Sequence, residues 1–330
     1  MSETFDNVLL IALPASGKSE VRTYLKSLTP EQLKEEFHIG NMVQLDDFPY
    51  VHMMRRIDEE LKATGEKPVF FYSPDKPFIE PESWGVLIEL LNEDYADMKA
   101  NKKEIPISSA KHLLRRYDNA RKKIGKPTIF FDDEGKPKIP EEKFEKLIEN
   151  LEDESRELQK KKYAEYPGDF EGKSVIIEFA RGGEDGATPP LPYAYEYSLS
   201  LMSPEILRHA AILYIWVTPE ESRRKNEERA DPNDPGSILA HGVPIDVMLH
   251  DYGCDDIDYL LKTSGKENCI KVKTREGEEI FVPLARFDNR VDKTSFIRNE
   301  TWKDEEVKAL HEGLKEAVDK LIEAYRAVKV

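Results

Sequence analysis

A chain of 330 residues with 39% hydrophobic and 35% charged residues is long enough for a main core plus a second domain or a large insertion. A formal charge of −16 repels polynucleotides on average, and no apolar run is long enough to span a bilayer, so nucleic acid and membrane are disfavoured as partners. Residues 1–6, with Glu3 and Asp6, do not read as a leader, so a cytoplasmic chain is the expectation, and the spacing of Cys254 and Cys269 argues against a disulfide framework or a zinc site.

Asn7-Val8-Leu9-Leu10-Ile11 is a continuous apolar run, as expected of a strand buried on both faces of a parallel sheet. It is followed by Ala12-Leu13-Pro14-Ala15-Ser16-Gly17-Lys18-Ser19 and then by a helical pattern over 19–26. This is the phosphate-loop pattern of Gly, four residues and Gly-Lys-Ser/Thr, with Ala12 in place of the first Gly. Such a loop surrounds a nucleotide's phosphates with backbone amides, so Ala12, Pro14, Ala15, Ser16, Gly17, Lys18, Ser19 and Glu20 are the expected cofactor contacts. Lys18 would neutralise phosphate oxygens and Ser19 would join a Mg²⁺ shell. The bland alternative is a helix N-terminus that happens to hold a lysine, and the strand, spacing and following helix weigh against it. Alanine at position 12 fits only where φ is negative.

Met42-Val43-Gln44-Leu45 predicts a second strand, ending in Asp46-Asp47-Phe48-Pro49-Tyr50. Acids at the carboxyl end of a sheet strand stand where open α/β sheets bind ligands, so Asp46 and Asp47 are candidates for a base and, through Asp46, a metal-shell acid. The alternative role for the pair is to cap the next helix. With these two motifs the chain resembles the P-loop kinase superfamily, which includes nucleoside, nucleotide, uridine and phosphoribulose kinases. The Asp-Asp-Phe-Pro-Tyr stretch is similar to the Asp-Asp-Phe-Tyr pattern of uridine-kinase-like members. The resemblance implies an α/β P-loop NTPase sandwich of three layers around a parallel sheet, with ATP and Mg²⁺ as cofactors.

The segment after Leu45 is too long for a connection and matches itself. His52-Met53-Met54-Arg55-Arg56-Ile57-Asp58 answers His112-Leu113-Leu114-Arg115-Arg116-Tyr117-Asp118 sixty residues on. Lys67-Pro68 aligns with Lys126-Pro127 if one residue is deleted before the Phe-Phe pairs, and Lys76-Pro77, Ile79 and Trp84 answer Lys136-Pro137, Ile139 and Phe144 at the original offset. Residues 51–167 are therefore expected to be a mainly helical insertion of two repeats, about 51–100 and 111–160, between core segments 1–50 and 168–330. Each repeat reads as a helix with an Arg pair, a short Phe-Phe strand, a turn and a second helix. Arg55 and Arg115 are candidate grips for an anionic acceptor, with a purely structural role as the alternative. His52 and His112 lack companion metal ligands. Lys160-Lys161-Lys162 reads as a solvated helix end.

Ser174-Val175-Ile176-Ile177-Glu178 has the form of a Walker-B strand, which makes Glu178 a candidate metal-shell acid or base. The loop after it contains Arg181-Gly182-Gly183, which suits either a substrate loop with Arg181 as a contact or a flexible turn. Ala211 to Val217 predicts another strand, and Thr218-Pro219 opens a helix bearing Arg223, Arg224 and Arg229. The family resemblance makes these the arginines of a lid over the triphosphate. Their alternative role is pairing with neighbouring Glu residues along an exposed helix. Ile280 to Leu284 predicts the last strand, residues 287–290 could border a base, and Val307, Leu310, Leu314, Val318, Leu321, Ile322 and Tyr325 recur at helical spacing. The expected function is an ATP-dependent phosphotransferase acting on a small molecule such as a nucleoside, nucleotide or sugar. The alternative is a nucleotide-dependent ATPase or switch whose insertion binds a protein.

Overall fold

The first apolar run forms β1 (Asn7–Ile11), with every residue buried. The computed structural model describes residues 4–229 and 242–328. Contacts divide the chain into two units, Met1–Gln44 with Phe170–Val330, and Leu45–Asp169.

The first unit is built on a six-stranded, mostly parallel sheet. Its further strands are β2 (Asn41–Asp46), β3 (Lys173–Phe179), β4 (Ala210–Trp216), β5 (Cys269–Lys273) and β6 (Glu279–Asp288), in the order β2-β3-β1-β4-β6-β5. β1 runs parallel to β3 and β4, β4 runs parallel to β6, and β5 is antiparallel to β6. β5 escapes the search for continuous apolar runs because Cys269-Ile270-Lys271-Val272-Lys273 exposes its lysines, as suits a charged edge strand.

Alternation along the buried strands supplies two apolar faces. Val8, Leu10, Ile176, Leu213, Ile215 and Phe287 share one core with α1 (Lys18–Ser27), α2 (Pro30–Phe37) and α12 (Asp304–Val328). α2 begins with a capping box in which Thr29 and Gln32 satisfy each other's backbone amides. α12 buries Leu310, Leu314, Val318, Leu321, Ile322 and Tyr325, the stripe expected from the sequence, and Tyr325 meets Phe5 edge-on at 5.1 Å. On the opposite face Phe179 packs against Tyr195 of α7 (Tyr195–Leu201). After β4 comes α9 (Pro219–Arg229), preceded by α8 (Pro204–Arg208) and followed by α10 (Ile245–Asp251) and α11 (Ile257–Thr263).

The second unit holds α3 (Phe48–Ala63), α4 (Ser83–Lys99), α5 (Ser109–Lys123) and α6 (Glu141–Ala164). Its two halves repeat the same hydrogen bonds sixty residues apart. The Asp58 carboxylate accepts the amides of Val69, Phe70 and Phe71, and Asp118 accepts those of Ile129, Phe130 and Phe131. Gly65 and Gly125 both adopt φ 76° where each helix ends, a left-handed turn that glycine allows without strain. These pairs correct the sequence alignment, because the offset of sixty runs unbroken from the helices through the Phe-Phe pairs and no residue is missing before them. The missing residue lies in the hairpin turn that follows. Phe71 bridges Phe78 in the first half and Phe131 bridges Pro137 in the second, so the shorter second turn shifts the offset to fifty-nine there. Trp84 and Phe144 then stand at equivalent buried positions, against Phe78 and Phe131.

Lys162 also departs from expectation. Lys160 and Lys161 are exposed in the last turns of α6, as expected of a solvated helix end, but the Lys162 side chain is 8% exposed, with its Nζ 2.8 Å from Asp94 and 2.9 Å from Asp97.

Candidate functional site

The loop between β1 and α1 takes its shape from two left-handed residues, Ala15 at φ 54° and Gly17 at φ 105°. Ala12 is fully buried and is not left-handed, so its methyl group fits without strain. The need for a left-handed residue falls instead on Ala15 and Gly17. At Gly17 a second constraint applies, since an added Cβ would stand 2.5 Å from Thr294 Oγ1. Gly17 is also the N-cap of α1 and supplies no side-chain cap, which leaves the positive end of the helix dipole facing the loop. Ser16 Oγ donates to the Leu13 carbonyl at 2.5 Å, and Lys18 Nζ lies 3.3 Å from the Ala12 carbonyl.

Glu178 is paired in register with Leu10 of β1 and is 3% exposed. Its carboxylate accepts from Arg22 of α1 and, at 3.4 Å, from Gln44 Nε2 of β2. Ser19, in the first turn of α1, supplies a hydroxyl. Oxygen donors of this kind suit a hard cation such as Mg²⁺. Among the described residues no group of three or more His, Cys, Asp or Glu side chains could hold a metal by itself. An ion here would take its remaining oxygens from a bound phosphate and from water.

The other expected site residues have varied surroundings. Asp46 closes β2 and accepts the Phe48 amide at 2.9 Å, the capping role weighed for the pair, while Asp47 takes the N-cap position of α3 and is buried. Both belong to the Leu45–Asp169 unit, although β2 begins in the other. Arg55 and Arg115 occupy matching positions over Phe71 and Phe131, at 4.2 and 4.3 Å from the ring centroids, contacts of the kind that the structural alternative calls for.

Arg181 is 1% exposed, donates to Ser198 Oγ at 2.9 Å and to the Ala180 carbonyl, and so is a core group instead of an exposed contact. The neighbouring glycines serve close packing rather than flexibility. A Cβ on Gly182 would stand 2.4 Å from the Cys254 carbonyl, and Gly183 exchanges backbone hydrogen bonds with Gly253 and Cys254.

Of the α9 arginines, Arg224 pairs with Glu221 and Glu228 along its own helix, as the bland reading has it. Arg223 pairs with Glu220 of its own helix at 3.6 Å and also reaches Asp185 at 3.1 Å. Arg229 is different. Burial pushes its pKa down, with Glu20 opposing the effect and Arg298 adding to it, and Arg298 Nε itself donates to Glu20 at 2.6 Å.

Several residues around the loop carry no motif and were missed by sequence reading. Arg22 could have been noticed as the residue one helical turn beyond Ser19. Ser222, Lys225, Asp292 and Thr294 could not, because the contacts that tie α9 to the loop and to residues 292–294 join distant parts of the chain. Asn289, part of the segment read as a base border, is fully buried and donates to the Ser16 carbonyl at 2.8 Å. Beside it, Arg290 pairs with Asp288 and stacks 3.7 Å from the Trp216 ring centroid. No helix among the described residues is long and apolar enough to cross a membrane. Compared with family models, curated proteins and solved structures, the chain matches none of them.

Proposed function

We propose that this chain is a P-loop phosphotransferase, moving a phosphoryl group from ATP to a hydroxyl of a small molecule. The observation that carries the reading is the loop itself. Left-handed Ala15 and Gly17 stand directly before a helix N-terminus bearing Lys18 and Ser19, and the acid Glu178 lies buried on the adjacent strand. Consecutive residues of alternating handedness turn amides into a concave anion site, and the helix dipole adds to it. Mg²⁺ bound with the nucleotide would neutralise phosphate charge, held by Ser19 and Glu178. Lys18 would bind the phosphates, and Arg223 and Arg229 are the retained candidates for stabilising charge in transfer. We assign acceptor selection to the Leu45–Asp169 unit, and the role of base to Asp46 or Asp47, on the family resemblance and chain connectivity alone. The sixty-residue correspondence within that unit supports an origin by duplication.

The test is transfer from γ-labelled ATP with Mg²⁺ to a panel of nucleosides, nucleotides and sugars. Label should appear in one acceptor class, and Lys18→Ala should abolish transfer in a protein of unchanged circular dichroism. Hydrolysis that no acceptor diverts would replace this reading with the nucleotide switch. Unaltered turnover in Lys18→Ala would remove the phosphate site altogether.

A further inference from the structure

We propose that Ser222 and Asn289 are positioning residues that preset two loop amides, Ala15 N–H and Gly17 N–H, for a polyphosphate. This rests on the phosphate-site reading above and concerns how that site is held ready.

The argument starts from the peptide plane. In a trans peptide the carbonyl and the following amide point in opposite directions, so fixing one fixes the other. Both relevant peptides are trans. Ser222 Oγ, on α9, donates to the Pro14 carbonyl at 2.7 Å, and Pro14 shares its peptide plane with the amide of Ala15. Asn289 Nδ2, just past β6, donates to the Ser16 carbonyl at 2.8 Å, and Ser16 shares its plane with the amide of Gly17. Two carbonyls of the loop are thus held from outside by side chains, and the amides behind them turn the other way.

Those side chains are themselves locked. Ser222, Lys225, Asn289 and Thr294 are buried. Thr294 Oγ1 accepts from Asn289 Nδ2 at 3.0 Å and from Lys225 Nζ at 3.2 Å, while Lys225 lies 2.6 Å from Asp292 Oδ1. Burial alone would raise the Asp292 pKa, but Lys225 and the backbone amides of Thr294 and Ser295 outweigh it and hold the carboxylate ionised well below the usual range. The Asn289 Oδ1 accepts the Lys293 amide at 2.7 Å, which fixes the side-chain amide so that its NH₂ faces the loop. A fully buried lysine with a carboxylate partner is costly to place, and here it ties α9 to the 289–295 segment on the two sides from which the loop carbonyls are held. The consequence is preorganisation: the phosphate site does not spend binding energy turning its own peptides.

The experiment is calorimetric titration of the full chain with ADP and, as a base-free probe, inorganic tripolyphosphate, both with Mg²⁺. Ser222→Ala removes one hydrogen bond and should weaken both probes about tenfold in a protein that still unfolds cooperatively. Ser222→Thr, which keeps the hydroxyl, should restore affinity. In ¹⁵N-labelled wild type the Ala15 and Gly17 amide protons should move downfield together as tripolyphosphate binds, a readout that decides the matter should Ser222→Ala fail to fold. An affinity of Ser222→Ala within about twofold of wild type, or a loss that Ser222→Thr does not restore, overturns the inference and leaves the phosphate site standing. So do amides that stay unmoved while the probe binds. Wild type that binds neither probe sinks the phosphate-site reading itself, and this inference with it.

Discussion

Arg56 and Arg116 occupy the same place in the two halves of the Leu45–Asp169 unit, sixty residues apart, and each pairs with an acid from the second helix of the other half. Arg56 reaches Glu154 and Arg116 reaches Asp94, which again differ by sixty. Their surroundings differ sharply. The Arg56 side chain is 28% exposed and also pairs with Glu59 and Glu60 of its own helix. The Arg116 side chain is 7% exposed and donates to Tyr50 Oη at 2.8 Å and Glu93 at 2.9 Å, while Lys162 shares Asp94 with it. Tyr50 closes this side, donating to Asp94 Oδ2 at 2.5 Å, and alanine stands at the matching position 110. The same helical frame therefore carries a solvated ion pair on one side and a desolvated network on the other. Tyr50 against Ala110 is one sequence difference between them, whereas lysine stands at both 102 and 162 and only Lys162 reaches the buried acid.

The largest effect follows from that contrast. Arg116→Ala leaves Asp94 and Lys162 buried with a broken network and should cost about 3–5 kcal/mol, whereas Arg56→Ala, in a screened surface pair, should cost about 1 kcal/mol or less. Urea denaturation of the two variants measures both. Equal losses would show that burial is not what separates the two sides.

A second prediction sharpens the comparison where the halves agree. Asp58→Ala and Asp118→Ala each strand three backbone amides, two of them buried, and should cost about 2–3 kcal/mol each, in similar measure. A large loss in one and none in the other would mean that the matching hydrogen bonds do not carry matching weight. Asp58 adds a pH signature. Burial raises its pKa despite the pull of the Val69, Phe71 and Phe70 amides and of Arg55. A carboxyl that holds its proton more tightly folded than unfolded loses stability as pH rises from the ordinary Asp value through its raised one, with no further change above. Asp58→Asn should remove that slope.

Much of this architecture was legible because it is written in local pattern. Continuous apolar runs mark β1, β3 and β4, and a helical stripe marks α12, since a single element's burial is printed in its own period. The 12–19 loop could be read from spacing alone. What holds that loop could not be. Ser222 meets Pro14 across 208 positions and Asn289 meets Ser16 across 273, and no local pattern records such a pairing. Arg181 and Lys162 misled for a related reason, because charge alone suggests solvent and only the fold supplies Ser198 or Asp94 as partner. The sixty-residue correspondence was visible through its Arg pairs, but a Lys-Pro match drew the missing residue to the wrong side of the Phe-Phe pairs. The hydrogen bonds to Asp58 and Asp118 place it in the turn.

The smallest expected effect separates His52 from His112, the pair that begins each repeat. His52 Nε2 meets Glu154 at 3.1 Å, on the solvated side. His112 lies beside the buried network, where burial lowers its pKa and Arg116 lowers it further, while Glu104 and Glu93 pull it back only in part and Lys162 adds to the lowering. Acid therefore protonates His112 in the unfolded chain before it does so in the folded one. The stability that depends on neutral His112 is fully present above the ordinary histidine pKa and is lost as pH falls through that value towards the lowered one. His112→Gln keeps a polar side chain of similar reach and cannot titrate, so urea midpoints measured from about pH 5 to 8 should fall less steeply on the acid side than in wild type. Arg116→Ala on its own cannot test this, because it disturbs Asp94 as well. A His112→Gln variant that keeps the full acid slope would assign that slope to other groups, leaving the arginines as the point at which the two halves part.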